Sequence, residues 1–255
     1  MSINCGKIND QYFNNLGIQQ LYVSSALKHF TQRFRKKYHL TAYENNTKST
    51  LFFGIYNSSD LQVLIKHVGP KFVMFGGTDV TTLKNTSKWR NLLKGQKIEK
   101  YFSISTNLDL RIKELGFKSQ QIDLSFHDNS LFQPVKKYGH KIYIYNGYSP
   151  HNEELYGKDI YEKVVKQLPQ FEYIYSNQLH LKHEQMPQLY AQCFIGLRLT
   201  TNDGNANTVQ EMTAMGIPVI HNGEQGGLKW KTIDDVLNLI QKQARSINHP
   251  HYSRK

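Results

Sequence analysis

Apolar runs of strand length alternate with segments of helical periodicity along most of this chain, and this alternation limits its fold more than any other feature. The run LFFGIY (51–56) predicts a buried strand, and the segment after it places Leu61, Leu64, Ile65 and Val68 at helical spacing. Strands that alternate with helices in sequence are typical of parallel sheets. The sequence therefore predicts an α/β protein.

The alternation continues to the end of the chain. Further strands are predicted at residues 71–77, 99–105, 121–126, 140–147, 171–176, 194–200 and 217–223. Further helices are predicted at residues 86–95, 107–117, 159–167, 186–193, 207–216 and 232–247, and another around residues 20–38.

A polar segment that contains a proline, residues 127–140, interrupts the alternation, which then restarts. We interpret this segment as a linker between two Rossmann-like domains, residues 1–134 and 135–255, that face each other across a cleft. Ligands of such sheets bind beyond the carboxyl ends of the strands. A ligand site is therefore expected at that edge.

The formal net charge of the 255-residue chain is +12, so we expect an anionic partner. Nucleic acid, a phospholipid surface and a phosphorylated small molecule all meet this condition, but the sequence has no pattern of a known nucleic-acid-binding motif. No apolar run approaches the roughly 18–20 residues that span a bilayer, so a cytoplasmic protein is expected. Cys5 and Cys193 form no CxxC pair, which argues against a zinc site.

The segment 194–223 is the most informative part of the sequence for function. It reads as strand, polar loop, helix and strand, and the start of a helix attracts a diphosphate through its backbone N–H groups and its dipole. Glu211, about one turn into this helix, is placed to accept hydrogen bonds from ribose hydroxyls, and Asp203 would point at the sugar. The backbone amides predicted to hold the diphosphate belong to Gly204, Asn205, Ala206, Asn207 and Thr208.

A known family shares this pattern. Asp203 is followed by seven residues, then by Glu211 within the run EMTAMGIPVI (211–220). The stretch resembles the donor-binding signature of retaining glycosyltransferases of the GT-B type. The segment KIYIYNGY (141–148), which contains Gly147, resembles the first strand and turn of the donor domain in that family.

The resemblance implies a GT-B fold with a reduced N-terminal domain. It also implies transfer of a sugar from a nucleoside diphosphate donor to a hydroxyl of a glycan, lipid or protein, with retention and without a metal or other cofactor. Glu211 would hold the ribose and Asp203 would orient the sugar. Arg198 and Lys158 are the best substitutes in this sequence for the basic pair that grips the diphosphate in the family.

Several candidate residues also have ordinary structural interpretations. Asp79, after a Gly-Gly turn at a strand end, is either a general base for the acceptor hydroxyl, if the enzyme inverts, or a turn aspartate. Arg198 either faces the cleft or pairs with a carboxylate, and Lys158 is either a diphosphate ligand or a solvated lysine. His180 and His183, three residues apart, are interpreted as a surface pair.

The basic stretch at residues 27–39 has two interpretations. Phe30, Phe34 and Tyr38 recur at helical spacing, so they would face the core while the lysines and arginines face solvent. Alternatively, the stretch contacts an anionic membrane, where each lysine or arginine near the surface contributes about 1 kcal/mol.

The sequence leaves three other functions open. A nucleotide-sugar epimerase would bind the donor without an acceptor. A catalytically reduced GT-B module would bind a nucleotide-sugar or glycan without turnover. Nucleic-acid binding is the least favoured, because only the net charge supports it.

Overall fold

The computed structural model divides the chain into two compact units, residues 1–126 (unit 1) and 127–255 (unit 2). The predicted domain bounds, 1–134 and 135–255, and the cleft between the domains stay predictions. The structure describes Tyr12, residues 14–122 and 128–147, Glu154, and residues 156–179, 181–200, 204–224 and 226–250.

In the described part of unit 1, six strands form one sheet in the order β2–β1–β3–β4–β5–β6, and every neighbouring pair is parallel. The strands are β1 (Gln20–Val23), β2 (Thr41–Ala42), β3 (Thr50–Phe53), β4 (Lys71–Met74), β5 (Lys100–Ser103) and β6 (Ser119–Gln121). The helices between them are a short 3-10 helix (Ser25–Phe30), α1 (Thr31–Tyr38), α2 (Ser58–Lys66), α3 (Asp79–Asn85), α4 (Ser87–Lys94) and α5 (Thr106–Glu114). The predicted α/β class with parallel sheets is confirmed.

The central strands of unit 1 are buried on both faces. All four residues of β3 and all four of β4 are buried, because helices cover both sides of a parallel sheet. Asn57 caps the start of α2: its side chain accepts a hydrogen bond from the backbone N–H of Asp60, and the carboxylate of Asp60 accepts one from the backbone N–H of Asn57. This reciprocal capping fixes where the helix starts.

The prediction of a helix around residues 20–38 is wrong for the first residues of that range. Residues 20–23 form strand β1, which lies between β2 and β3, and only Thr31–Tyr38 form an α-helix. The side chain of Gln20 is buried, and its Nε2 donates to the hydroxyl of Thr50 at 2.8 Å. A hydrogen bond between strands therefore satisfies the buried amide of Gln20, a polar residue that local sequence patterning does not assign to a buried strand.

In the described part of unit 2, four parallel strands form a second sheet in the order β10–β9–β7–β8. The strands are β7 (Lys141–Ile144), β8 (Glu172–Tyr175), β9 (Cys193–Arg198) and β10 (Val219–His221). The helices are α6 (Lys158–Gln167), α7 (Met186–Tyr190), α8 (Asn207–Ala214) and α9 (Ile233–Ser246), with 3-10 turns at Ser176–Gln178 and His183–Gln185.

Glycine at position 196 lets α8 pack closely on β9. A Cβ built on Gly196 would lie 2.6 Å from the sulfur of Met212, which is on α8. The missing side chain thus sets the distance between this strand and the helix that carries Glu211.

The segment that was interpreted as a linker packs on unit 2 where it is described. The side chain of Phe132 is buried in the unit 2 core, and the backbone N–H of Val135 donates to the carbonyl of Met215 at 3.0 Å. Within the described residues, no helix combines the length and apolar character needed to cross a membrane.

Candidate functional site

Unit 2 has one position where its strand order reverses. From β7 the chain crosses to β8 on one side, and from β9 it crosses to β10 on the other, while β7 and β9 are neighbours. In open α/β sheets, ligands bind beyond the carboxyl ends of the two strands at such a switch point. Gly147 follows β7 and Arg198 ends β9, so both sequence-predicted residues lie at this edge.

Arg198 is held by aromatic rings. Its guanidinium carbon lies 4.1 Å from the ring centroid of Tyr145 and 5.2 Å from that of Tyr156. The two rings meet edge to face, with centroids 4.9 Å apart. Cation–π contacts restrict the orientation of a guanidinium, so the side chain of Arg198 is positioned at the switch point by these rings.

The loop after β7 is fixed by a buried serine. Ser176 Oγ accepts a hydrogen bond from the backbone N–H of Asn146 at 3.0 Å and donates to the carbonyl of Gly147 at 2.7 Å. Gly147 has a φ of 86°, a conformation that favours glycine. A side chain on Gly147 would strain this turn, so the backbone at the end of β7 stays bare and close to the sheet edge.

Lys158 lies at the same edge. It is the exposed first residue of α6, and Gly157 before it has a φ of 85°. A Cβ on Gly157 would lie 2.9 Å from the carbonyl oxygen of Leu199, the residue after β9. The start of α6 is therefore packed against the end of β9, which brings a second cation toward the carboxyl edge of the sheet.

The predicted diphosphate loop leads into α8, which begins at Asn207. Ala206 and Thr208 are buried, whereas Gly204, Asn205 and Asn207 are half-buried. No side chain among the described residues caps the N-terminus of α8, and the side-chain oxygen of Asn207 is buried there without a hydrogen-bond partner in the described chain. A buried acceptor that lacks a partner indicates a place where water or a ligand supplies one.

Glu211 is buried and already bonded. Its Oε1 lies 2.7 Å from Nε2 of His183, and its Oε2 accepts a hydrogen bond from the hydroxyl of Tyr190 at 3.1 Å. The imidazole of His183 is itself packed edge to face on Phe132. Only about 4% of Glu211 is exposed, whereas the side chain of its partner His183 is 23% exposed.

The two remaining predicted residues lie elsewhere. Asp203 falls outside the described residues, as does His180. Asp79 belongs to unit 1 and is fully buried, and its carboxylate accepts backbone hydrogen bonds from Ile55, Gly76, Gly77 and Val80. Burial raises the pKa of Asp79 above its ordinary value, and the four N–H groups oppose that rise. This geometry favours the turn-aspartate interpretation over the general base.

The sequence analysis missed the residues that hold Arg198 and Glu211. Tyr145 and Tyr156 contact Arg198, and Tyr190 and His183 contact Glu211. His183 was interpreted as a surface residue, but its side chain is 23% exposed and lies against the candidate carboxylate. The apolar alternation of KIYIYNG indicates that Tyr145 is near the strand end, whereas no local pattern links His183 to Glu211.

The site therefore offers cations, backbone amides and one buried carboxylate. In the described ranges, no three His, Cys, Asp or Glu side chains come together as metal ligands. Arg198 and Lys158 can neutralise an anion, and the start of α8 can accept one at its positive end. Such an arrangement suits a phosphorylated ligand.

These features define a Rossmann-like α/β protein with a glycosyltransferase-like fold. No protein-family model and no curated protein sequence matches the chain. Among solved structures, the chain is similar to the sucrose-phosphate synthase from Thermosynechococcus elongatus, with a TM-score of 0.51 and 12% identity over 87% of this chain and 70% of that one. At this identity, the likeness concerns the fold alone.

A second solved structure is also similar. It is the Glycosylation Associate Protein complex from Streptococcus agalactiae, with a TM-score of 0.45 and 10% identity. The match covers 86% of this chain and 53% of that one, so this chain spans about half of that protein's length.

Proposed function

We propose that unit 2 binds a nucleoside diphosphate sugar and that the chain transfers the sugar to a hydroxyl acceptor, as a GT-B glycosyltransferase of the retaining, metal-independent type. The observation that carries this proposal is the placement of Arg198 at the switch point of unit 2, in contact with two tyrosine rings. The glycosyltransferase-like fold and the acidic motif at positions 203 and 211 support it.

Each group has a role in the proposed reaction. Arg198, Lys158 and the first amides of α8 stabilise the diphosphate as its bond to the sugar breaks. Preorganised positive groups aimed at developing negative charge often lower the activation barrier more than any other effect. Glu211 accepts hydrogen bonds from the ribose, and Asp203 orients the sugar. Gly147 leaves room for the diphosphate to approach the backbone at the end of β7.

The buried contacts of Glu211 fit a ribose site when His183 is included. A carboxylate oxygen accepts more than one hydrogen bond, so a ribose hydroxyl can add to the existing bonds from Tyr190 and His183. We therefore include His183 in the proposed donor site as the residue that lies between Glu211 and solvent.

The proposal is tested by calorimetric titration with a panel of nucleoside diphosphate sugars. Replacing Arg198 with alanine is expected to weaken binding of the matching nucleoside diphosphate by about tenfold or more, since a charged hydrogen bond contributes about 1.5–3 kcal/mol. Binding of the bare nucleoside should not change. The matched control is Lys166→Ala, which removes an exposed cation from the other end of α6.

Two outcomes of this titration would reject the donor site. One is that no nucleotide of the panel binds. The other is that Arg198→Ala weakens binding of the nucleoside and of the diphosphate equally, which would give Arg198 a structural role only.

A second candidate function is a binding module without turnover. It is favoured by the burial of Asp79, the one residue of unit 1 for which the sequence offered a catalytic role. Release of nucleoside diphosphate in the presence of acceptors separates the two functions. Donor binding without any release across free sugars, glycans and glycolipids would support the binding module.

A further inference from the structure

The positive charge of the chain is concentrated in unit 1. Residues 1–126 contain 18 lysines and arginines against 8 aspartates and glutamates, a net charge of +10, whereas residues 127–255 contain 14 against 12, a net charge of +2. Three of the acidic side chains in unit 1, Asp60, Asp79 and Asp109, are buried. The surface of unit 1 therefore favours an anionic ligand, whatever unit 2 binds.

Unit 1 also has its own switch point with a pocket. Its strand order reverses between β1 and β3, and an open pocket of about 530 Å³ lies beyond their carboxyl ends. The polar side chains that line it include Ser25, Lys28, Thr31, Asn57 and Ser59. Lys28 and Thr31 belong to the basic stretch at residues 27–39, so this stretch contributes to a pocket as well as to the surface.

The acidic group in this pocket is already used within the fold. Asp60 accepts hydrogen bonds from the hydroxyl of Tyr22 at 2.9 Å, from the hydroxyl of Ser24 at 2.7 Å and from the backbone N–H of Tyr56 at 2.9 Å. Burial and the bond to Asp60 raise the pKa of Tyr22, so its hydroxyl stays protonated and donates inward. Both groups are therefore engaged in bonds within the fold.

The remaining polar groups of the pocket are donors or hydroxyls. Within the described chain, the ammonium of Lys28, the amide nitrogen of Asn57 and the hydroxyls of Ser25, Thr31 and Ser59 have no side-chain hydrogen-bond partner. An excess of donors around one cation matches a ligand rich in acceptors, such as a phosphate or a carboxylate that carries hydroxyl groups.

We propose that the pocket beyond β1 and β3 binds an anionic, hydroxyl-bearing ligand, either a free phosphorylated sugar or polyol or the headgroup of an anionic lipid. Lys28 pairs with the anionic group, and Ser25, Asn57 and Ser59 bond its oxygens and hydroxyls. The role of this ligand as the acceptor of the sugar rests on the proposed function. Its binding to unit 1 does not rest on that function, because no residue of unit 2 contributes to the pocket.

The test compares glucose 6-phosphate, inorganic phosphate and glucose by calorimetry with the full chain. We expect glucose 6-phosphate to bind at least tenfold more tightly than glucose, and Lys28→Gln to weaken its binding about tenfold. Lys36→Gln, which removes an exposed cation of α1 that does not line the pocket, should change the affinity less than twofold. Equal effects of the two substitutions would overturn the proposal, because they would show attraction by overall charge only.

A second arm identifies the source of the ligand. Co-sedimentation with vesicles that contain phosphatidylinositol is compared with co-sedimentation with phosphatidylcholine vesicles. The pocket is assigned to a lipid headgroup if the chain binds the phosphatidylinositol vesicles, Lys28→Gln reduces that binding tenfold, and Lys36→Gln leaves it unchanged. Glucose 6-phosphate binding without vesicle binding assigns it to a free molecule.

Absence of binding to all these probes would overturn the proposal. The nucleoside diphosphate titration on the same sample keeps the two hypotheses apart. Arg198→Ala is expected to leave binding in unit 1 unchanged, so loss of the donor site alone does not remove the site proposed here.

Discussion

Two tyrosine rings determine the direction of the one arginine that the proposed donor site uses. Tyr145 follows β7 directly, and Arg198 ends the neighbouring strand, so the register of two parallel strands brings ring and guanidinium together. The side chain therefore enters binding already oriented. Less conformational entropy is lost when a preorganised group meets its ligand.

Replacing Tyr145 with leucine should therefore weaken diphosphate binding. A cation–π contact contributes about 0.5–2 kcal/mol, so we expect an about 2- to 30-fold loss of affinity for the nucleoside diphosphate. Calorimetry should find the affinity for the bare nucleoside unchanged. Tyr145→Phe keeps the ring and is the matched control. An equal loss for both ligands would indicate general damage to the fold instead of a loss of orientation.

Glu211→Ala should weaken donor binding by about 10- to 100-fold, because each charge-assisted bond to the ribose contributes about 1.5–3 kcal/mol. The specific measurement is the ratio of affinities for a ribonucleotide donor and its 2′-deoxy analogue. The intact chain should prefer the ribonucleotide, and the variant should lose this preference. Thr213→Ala, at an exposed position of α8, is the control. A preference that survives in Glu211→Ala would remove Glu211 from the ribose site.

The loss of stability in Glu211→Ala is a separate effect. The substitution removes the carboxylate that bonds the imidazole of His183 and the hydroxyl of Tyr190, and an unsatisfied buried polar group costs about 1–3 kcal/mol. These partners lie 28 and 21 residues away in sequence. Sequence patterning found Glu211 through its family motif, but it gave no signal for contacts made over such separations.

At the scale of elements, the final helix α9 depends on its first turn. Thr232 accepts a hydrogen bond from the backbone N–H of Asp235, and the carboxylate of Asp235 accepts from the N–H groups of Lys231 and Thr232. These backbone bonds lower the pKa of Asp235 below its ordinary value. The helix buries Val236, Leu237 and Ile240 against the unit 2 core, so its start matters for the whole unit.

Asp235→Asn should remove a pH-dependent part of the stability. Because the pKa of Asp235 is lower in the folded chain, its contribution is present above the ordinary aspartate pKa of 3.8 and is lost as pH falls through the lowered value. Urea unfolding at pH 7 should show the variant less stable than the parent, and the difference should shrink at pH 3. Asp234→Asn, in the same helical turn, is the control. A difference that is independent of pH would contradict this assignment.

The strands were predictable where burial on both faces gives a continuous apolar run. LFFGIY overlaps β3, KFVMFGG contains β4, and FIGLRLT overlaps β9. Prediction failed for β1, where the polar side chain of Gln20 bonds across the sheet, and for β2, which has two residues. It also missed α3, because a buried Asp79 at the start of that helix resembles a turn residue in sequence.

At the scale of the whole molecule, Cys193 reports the unfolding of unit 2. It is buried in β9, and burial raises the pKa of its thiol to about 12, so the native chain should react slowly with thiol reagents. In a Cys5→Ser background, we expect labelling only through the unfolded state. A nucleotide-sugar at about 100 times its Kd should lower the population of the unfolded state about 100-fold, and the labelling rate should fall by the same factor.

Two results would count against this expectation. Rapid labelling of the native chain would show that Cys193 is accessible. Labelling that is equally slow with and without nucleotide would show that the ligand does not bind the folded form of unit 2, and the Arg198→Ala variant provides the reference for that outcome.

The strand pairings have a consequence for how the chain acquires its structure. Every described pair in both sheets is parallel, so no neighbouring strands are joined by a tight hairpin, and each pairing needs a crossover of a dozen residues or more. Closing such loops costs entropy before any sheet contact compensates it, which makes folding slow. Until the first sheet closes, the apolar segments of β3 and β4 are exposed, and such exposure favours association with other unfolded chains.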